Sequence, residues 1–139
     1  MKILKSIYCD ILNCCDVPPE TGGILGEKDG IISHFIFDKG LGSTEYAIYI
    51  PNTIQLNEQI NEWRYDGINF CGIIHSHMSE QPTLSSADKE YIELILHSLS
   101  HYTEQLYFPI VLPRERIISY KAICHNGSIH ICEDKIKII

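Results

Sequence analysis

Isoleucine is the residue type that most limits how this chain can fold. Its 139 residues include 25 Ile and only three Ala. β-Branched side chains lose rotamer freedom in a helix, whereas they pack well on the pleated surface of a sheet. We therefore expect a β-rich core rather than one built from long helices.

Residues 1–139 are predicted to form a single domain. A chain of this length can bury about two-thirds of its unfolded surface around one core, so it needs neither disulfides nor a partner to fold. No apolar run approaches the roughly 20 residues of a membrane helix. Lys5, Asp10 and Asn13 interrupt the apolar segment that a signal peptide would require. We therefore expect a soluble, cytoplasmic protein.

The charge balance is acidic, with 11 Lys+Arg against 18 Asp+Glu and a net charge of −7. Proteins that bind nucleic acid or anionic membranes neutralise phosphates with clustered basic residues, and this chain has no basic run. We expect neither as a partner. The acidic surface instead favours a substrate with a basic contact face.

Six cysteines, including the adjacent Cys14 and Cys15, are spread through apolar segments. Because the hydrophobic core is large enough for the chain to fold without disulfides, we expect the cysteines to be reduced and to fill the core. Cys124, His130 and Cys132 match no zinc-binding spacing and are interpreted as packing residues. Five histidines are interpreted as surface or hydrogen-bonded residues: His34, His97, His101, His125 and His130.

Apolar spacing predicts three helices. The first covers residues 2–15, with a stripe at four-residue spacing: Ile3, Ile7, Ile11 and Cys15. A weaker pattern follows Pro51, with apolar residues Leu56, Ile60 and Trp63. The third helix begins at Ser85, whose pairing with Asp88 is typical of a capping box. Its buried stripe is Ile92, Ile95, Leu96 and Leu99.

Runs of β-branched and aromatic residues between turn residues predict the strands. The expected strands are 20–26, 31–38, 46–50, 70–74, 106–112, 117–124, 128–131 and 136–139. The residues from Gly26 to Gly30, between the first two strands, have the composition of a tight hairpin turn. His125-Asn126-Gly127 predict a second turn, between strands 117–124 and 128–131.

His75 and His77 follow the apolar strand 70–74. Because side chains alternate along a strand, both imidazoles project to one side and Ser76 to the other. Two histidines placed in this way can chelate one metal ion. Asp88, in the first turn of the third helix, faces the core side and can be the third ligand. The positive end of the helix favours its ionised form.

Two histidines and one aspartate leave the fourth position of a tetrahedral zinc ion to water, an arrangement of catalytic rather than structural sites. Zinc lowers the pKa of that water from about 15.7 toward roughly 7, and a nearby carboxylate can accept its proton. Glu20 is the candidate base, since it precedes Gly22 and Gly23, where another backbone can approach closely. The residues therefore indicate a hydrolase.

Each of these features also has a structural interpretation. A histidine pair on a strand is more often a polar edge, and an acid before a glycine run is usually a solvated turn. Ser85 is most simply an N-cap, with Asp88 as its capping partner.

Together, these residues resemble a known motif. Glu20 followed by Thr-Gly-Gly-Ile-Leu-Gly, then His75-Ser76-His77, seven residues, Ser85, two residues and Asp88, resembles the JAMM motif of the MPN+ (JAB) zinc metalloproteases. The motif covers residues 20–88, and the order of predicted elements extends the resemblance to nearly the whole chain. The resemblance implies an α/β (α+β) fold related to the cytidine deaminases, with a mixed β-sheet flanked by helices.

The resemblance also implies an activity. Members of this family are Zn²⁺-dependent peptidases or isopeptidases that cut at the C-terminal tail of ubiquitin, or of a ubiquitin-like or sulfur-carrier-like protein. By analogy His75, His77 and Asp88 hold one zinc ion, Glu20 activates its water, and Ser85 hydrogen-bonds the water or the oxyanion. An extended substrate tail would add a strand beside the Glu20 segment.

The chain departs from bacterial members at Met78, where proline commonly follows the second histidine; this affects loop shape and substrate fit. It also lacks the insertions that give eukaryotic relatives their linkage preference. A non-catalytic scaffold or binding module on the same fold is the alternative function. A zinc nucleoside deaminase does not fit, because the sequence contains neither His-x-Glu nor Pro-Cys-x-x-Cys.

Overall fold

The computed structural model describes residues 1–42 and 48–139. In these ranges the helices are α1 (Lys5–Cys14), α2 (Thr53–Tyr65) and α3 (Ser86–Leu99). The strands are β1 (Lys2–Ile3), β2 (Gly22–Lys28), β3 (Ile31–Asp38), β4 (Asn69–Ser76), β5 (Gln105–Tyr107), β6 (Ile110–Leu112), β7 (Arg116–His125), β8 (Ser128–Asp134) and β9 (Lys137–Ile138).

The described strands form one mixed sheet flanked by helices, as predicted. From one edge to the other they run β8, β7, β5 with β6, β4, β2, β3, β1 and β9. At the centre, β2 pairs antiparallel with both β3 and β4. On its other side β4 runs parallel to β5 and β6. Strand β4 is therefore an interior strand with neighbours on both edges.

Side-chain alternation gives the sheet two apolar faces. One face, which includes Ile24 and Ile73, packs against α2 and α3. The other, which includes Leu25 and Ile74, packs against α1. Seven of the twelve largest fully buried side chains are isoleucines, which agrees with the β-rich core that the composition predicts.

The N-terminal helix is shorter than predicted. Residues 2–3 form β1, in which Ile3 lies opposite both Ile32 and Ile138, and α1 begins only at Lys5. Ile3 is fully buried, so it satisfies the predicted apolar spacing as a strand residue. Apolar spacing alone cannot distinguish a residue of a helical stripe from a buried strand residue that lies four positions before that stripe.

Two other strand predictions need correction. The strand predicted over 106–112 is divided into β5 and β6 at Phe108 and Pro109, because proline has no N–H to give to a sheet. Of the strand predicted over 46–50, residues 46–47 lie outside the described ranges. Residues 48–50 are irregular, although the Leu41 N–H donates to the Ile50 carbonyl at 2.8 Å.

The hairpin turns have the predicted chemistry. Between β2 and β3, Asp29 and Gly30 have φ values of 54° and 74°. Between β7 and β8, Asn126 and Gly127 have φ values of 49° and 77°. Positive φ at both central residues is the geometry that matches the twist of two paired strands, and Asn, Asp and Gly adopt it most easily.

All six cysteines are free. Cys15 and Cys71 are buried as predicted, and burial raises the pKa of the Cys15 thiol to about 12. Cys9, Cys14 and Cys132 are exposed, so the prediction that the cysteines fill the core is wrong for these three. No helix in the described ranges is long and apolar enough to cross a membrane.

Two leucines on α3 test how this helix packs on the sheet. Leu96 is fully buried, whereas Leu94 is 67% exposed. Leu96→Ala should lower the free energy of unfolding by about 2–5 kcal/mol, because it leaves a cavity in the core. The matched change Leu94→Ala should cost less than about 0.5 kcal/mol. Urea denaturation measures both values, and equal costs would contradict this orientation of α3.

Candidate metal centre

The two motif histidines lie at the end of β4, on the face that carries α2 and α3. His75 continues the alternation of Ile73 in β4, and His77 follows it two residues later. Their Nε2 atoms are 2.8 Å apart. The side chains are 13% and 4% exposed, so both imidazoles are largely removed from water. The same-side placement predicted from the sequence is confirmed.

Backbone hydrogen bonds hold this strand end in place. The His75 N–H donates to the Pro109 carbonyl at 3.3 Å, and the His77 N–H donates to the Val111 carbonyl at 2.9 Å. The division between β5 and β6 therefore lies beside the site, where Pro109 still provides an acceptor. The strand end is held by the sheet rather than by a flexible loop.

Ser76 projects to the opposite face, as predicted, and connects β4 to the segment before β2. Its Oγ accepts the Thr21 N–H at 2.9 Å and donates to the Asp16 carbonyl. The Ser76 N–H donates to the Thr21 carbonyl at 2.8 Å. Since Thr21 follows Glu20 directly, these bonds hold the Glu20 backbone beside the two histidines.

Asp88 reaches the histidines from the first turn of α3. Its Oδ1 is 3.2 Å from His75 Nε2, and its Oδ2 is 3.4 Å from His77 Nε2. Burial alone would raise the pKa of this carboxyl. The hydrogen bonds with the two imidazoles and from the Ser85 N–H outweigh burial and hold the pKa well below its usual range. Asp88 is therefore a carboxylate in this setting.

His77 has a second partner in the loop that follows it. Its Nδ1 is 2.9 Å from the Gln81 carbonyl, and the Gln81 N–H donates to the Met78 carbonyl at 2.9 Å. A carbonyl at Nδ1 requires the proton there and leaves the Nε2 lone pair for an ion. Met78 is thus part of a tight turn that orients the imidazole.

Glu20 lies just beyond this group. Its Oε1 is 3.9 Å from His77 Nε2, and its Oε2 accepts the Tyr49 N–H at 3.1 Å. Ligand atoms of Glu20, His75 and His77 all lie within 4.8 Å of one another, so these three residues could bind a metal ion. The Asp88 carboxylate, however, is closer to both imidazoles than Glu20 is to His77.

The donor set fits a zinc ion. With Zn–N and Zn–O bonds of about 2.0–2.2 Å, neighbouring ligands of a tetrahedral ion are roughly 3.3 Å apart. The separations of 2.8, 3.2 and 3.4 Å among His75, His77 and Asp88 are close to this value. Neutral imidazole and carboxylate are ordinary zinc ligands. Glu20 is farther away and is better suited to act on a molecule held by the ion.

Ser85 caps α3 as the capping-box prediction requires. Its Oγ accepts the Asp88 N–H at 3.1 Å, and its own N–H donates to Asp88 Oδ2 at 2.7 Å. The hydroxyl proton has no acceptor among the described residues. A hydroxyl has one donor and two acceptor sites, so Ser85 can cap the helix and still donate to a group in the adjoining cavity.

All five predicted site residues line one cavity of about 390 Å³. Its other walls include the apolar side chains Ile48, Tyr49, Ile73, Tyr91, Ile92 and Phe108. This volume lies within the range of ligand-binding clefts, roughly 300–1,000 Å³.

Sequence reasoning missed three neighbours of these residues: Asp38, Tyr49 and Gln81. Tyr49 stands in an apolar run, and Gln81 in a polar loop. Neither has a spacing that marks it. At Asp38 the only sign is an acidic residue at the end of the predicted strand 31–38.

The binding of a substrate tail as a strand beside the Glu20 segment needs correction. From Gly22 onward β2 pairs with β3 on one side and with β4 on the other. Both edges of β2 are occupied, so it has no free N–H and C=O groups with which another strand could pair.

The remaining cysteines and histidines form no second metal cluster among the described residues. In the β7–β8 hairpin, Cys124 lies opposite Ile129, whereas Cys132 lies opposite Lys121. His130 and Cys132 share one face of β8, and Cys124, opposite Ile129, belongs to the other. His34 makes an edge contact with the Trp63 ring, with centroids 6.1 Å apart.

No family model matches the chain, and no curated protein matches it. Solved structures do. A protein from Desulfitobacterium hafniense is 16% identical, with a TM-score of 0.66 over 99% of this chain and 92% of that chain. A JAB1/MPN domain protein from Archaeoglobus fulgidus is 17% identical, with a TM-score of 0.53 over 100% and 99%. A protein from Salinibacter ruber is 15% identical, with a TM-score of 0.55 over 98% and 90%.

At these identities the likeness concerns the fold. The chain has an MPN-like fold, in which a mixed sheet is flanked by helices. This agrees with the fold that the motif implies. Such a fold is compatible with a metallohydrolase.

The free energy of unfolding tests the role of Ser85 as the N-cap of α3. Ser85→Ala removes the acceptor of the Asp88 N–H and should lower the free energy of unfolding by about 0.5–2 kcal/mol. Ser86→Ala, at the exposed next residue, is the matched control and should change it by less than about 0.5 kcal/mol. Urea denaturation of the metal-free protein measures both. Equal effects would mean that the cap does not stabilise α3.

The pKa of His77 predicts a pH dependence for the metal-free protein. Burial would lower this pKa, but the hydrogen bonds with Asp88 and Gln81 and the charges of Asp88 and Glu20 raise it above its ordinary value of 6.5. The protonated imidazole therefore stabilises the fold below that ordinary value, and the stabilisation is lost as pH rises through the raised pKa.

Melting of the metal-free protein checks this prediction. The Tm should fall as the pH is raised from below to above the ordinary histidine pKa of about 6.5, and His77→Gln should remove most of that fall. His125→Gln, at an exposed hairpin turn, should leave the fall unchanged. A wild-type Tm that is level over this range would contradict the prediction.

Proposed function

We propose that this protein is a zinc-dependent hydrolase that cleaves a peptide or isopeptide bond at the C-terminal tail of a ubiquitin-like or sulfur-carrier-like protein. The observation that carries the proposal is the convergence of His75, His77 and Asp88 within 3.4 Å of one another, with Glu20 directly beyond. The MPN-like fold supports it, since one solved relative in fold is a JAB1/MPN domain protein.

His75, His77 and Asp88 would hold the ion. Two imidazole nitrogens and one carboxylate form a three-ligand set, which leaves a coordination position open, as catalytic zinc sites do. The bound ion would supply Lewis acidity, which lowers the pKa of water and polarises a carbonyl. The Gln81 carbonyl at His77 Nδ1 and the Ser85 N–H at Asp88 orient two of the ligands.

Glu20 would be the general base. Its Oε2 is occupied by the Tyr49 N–H, while its Oε1 faces the histidines at 3.9 Å from His77 Nε2. One oxygen is thus held and the other is available to take a proton from the attacking water. Glu20 can then pass that proton to the leaving amine, which is the ordinary sequence for one carboxylate serving as base and then acid.

Ser85 would donate to the carbonyl oxygen of the scissile bond. Its hydroxyl proton is not used by the cap, and the residue lines the cavity with Glu20 and both histidines. A donor directed at an oxygen that becomes negative stabilises the transition state more than the ground state.

The cavity walls suggest where the tail would lie. Because β2 offers no free edge, we place the tail across the open side of the cavity, next to Ile48 and Tyr49. Ile48 is 53% exposed and lines the cavity, so it provides apolar contact at the entrance. The net charge of −7 favours a substrate with a basic contact face.

The assay uses a ubiquitin-like protein whose C-terminal Gly-Gly is extended by a short peptide. The wild-type protein should carry one zinc ion per chain and remove the extension. Asp88→Ala should lose both zinc and cleavage. Glu20→Gln should keep the zinc and lose about 10²–10⁴-fold in turnover, because only the base is removed. Glu93→Gln, an exposed acid on α3, is the matched control and should retain both.

Two outcomes would contradict the proposal. If Glu20→Gln cleaves at the wild-type rate, the assigned mechanism is wrong. If freshly purified protein contains no zinc and binds none on addition, the protein is a non-catalytic module on the MPN-like fold.

A further inference from the structure

The Glu20 side chain has a defined partner outside the metal ligands. Its Oε2 accepts the backbone N–H of Tyr49 at 3.1 Å. Tyr49 belongs to the irregular segment 48–52, which precedes α2 and runs along the cavity. The position of the Glu20 carboxylate therefore depends on what holds this segment.

The Tyr49 side chain is packed between two backbone segments. A Cβ atom on Gly22 would lie 2.7 Å from the Tyr49 ring, and one on Gly40 would lie 3.0 Å from it. Neither glycine could carry a side chain without displacing the ring. Burial, the main cause, and the hydrogen bond to Asp38 raise the pKa of the Tyr49 hydroxyl far above its usual range. Tyr49 therefore stays a neutral donor.

Asp38 is the residue that anchors the segment. It ends β3, is only 7% exposed, and forms no ion pair among the described residues. Its Oδ2 accepts the Tyr49 hydroxyl at 2.7 Å and the Asn52 N–H at 2.9 Å. Its Oδ1 accepts the Gly40 N–H at 2.9 Å. Three donors compensate the burial of this carboxylate.

These contacts form a continuous connection from the sheet to Glu20. We infer that Asp38 and Tyr49 are positioning residues for the general base: Asp38 holds the Tyr49 side chain, and the Tyr49 backbone N–H holds Oε2 of Glu20. The inference rests on the proposed function of Glu20. Small displacements of a reacting group can cost about 10²-fold in rate. A fixed partner at Oε2 would keep the Glu20 carboxylate in the position that proton transfer requires.

The first experiment needs no substrate. In the zinc-loaded protein, Tyr49→Phe removes the hydroxyl and keeps the ring and the backbone N–H. Amide hydrogen exchange at residue 49 should become at least about tenfold faster, because the segment loses its bond to Asp38. Bound zinc should stay at one ion per chain, since Tyr49 is not one of the proposed zinc ligands. Tyr65→Phe, which removes a hydroxyl from a side chain that is 92% exposed, is the matched control and should change neither quantity.

The second experiment measures turnover on the extended ubiquitin-like substrate. Tyr49→Phe should lower kcat by about tenfold or more with little change in KM. In the Glu20→Gln background the same change should have no further effect, because the base that it positions is already absent. A merely structural role of Tyr49 would lower the rate in both backgrounds.

Asp38→Asn provides a second variant should Tyr49→Phe fail to fold. The Asn amide has one acceptor oxygen and an NH2 group in place of two acceptor oxygens, so it cannot accept all three hydrogen bonds from Tyr49, Asn52 and Gly40. Exchange at residue 49 should again become faster and kcat lower, while bound zinc stays at one ion per chain. The inference is overturned if exchange at residue 49 and kcat stay at wild-type values while Glu20→Gln is inactive. That result would leave the proposed function intact, whereas normal cleavage by Glu20→Gln would contradict the proposed function itself.

Discussion

The alternation of side chains along β4 is the constraint on which both the core and the candidate site depend. Ile73, His75 and His77 project to the face covered by α2 and α3, whereas Ile74 and Ser76 project to the other face. Strand β4 has neighbours on both edges, which fix its register. A shift of that register by one residue would turn the two imidazoles to the opposite face and put Ser76 in their place. The apolar part of the strand therefore sets the orientation of its polar end.

The helix that faces this strand end contributes through its N-terminus. Asp88 accepts the Ser85 N–H in the capping box and also lies beside both imidazoles. The structural and the chemical interpretations of Ser85 and Asp88 are therefore compatible, since each side chain has enough donor or acceptor sites for both. The same hydrogen bonds therefore stabilise the first turn of α3 and orient the Asp88 carboxylate toward the histidines.

Much of the fold follows from local patterns in the sequence. Runs of apolar and β-branched residues predict β2, β3, β4 and β7 to within about two residues, and Asn, Asp and Gly mark the two tight turns. The predictions failed where a neighbour in space decided the outcome. Ile3 became a strand residue because β3 and β9 were available to pair with it, and residues 48–50 stayed irregular although their composition favours a strand.

The sequence by itself determined the local parts of the candidate site. Strand periodicity placed His75 and His77 on one side, and capping chemistry placed Asp88 in the first turn of α3. Only the tertiary structure decided how Glu20 meets them, because it depends on contacts across the sheet. Ser76 holds Thr21, Asp38 holds Tyr49, and Tyr49 holds Glu20. These hydrogen bonds join residues that are 11 to 55 positions apart in the chain. No spacing rule connects such partners before the sheet has formed.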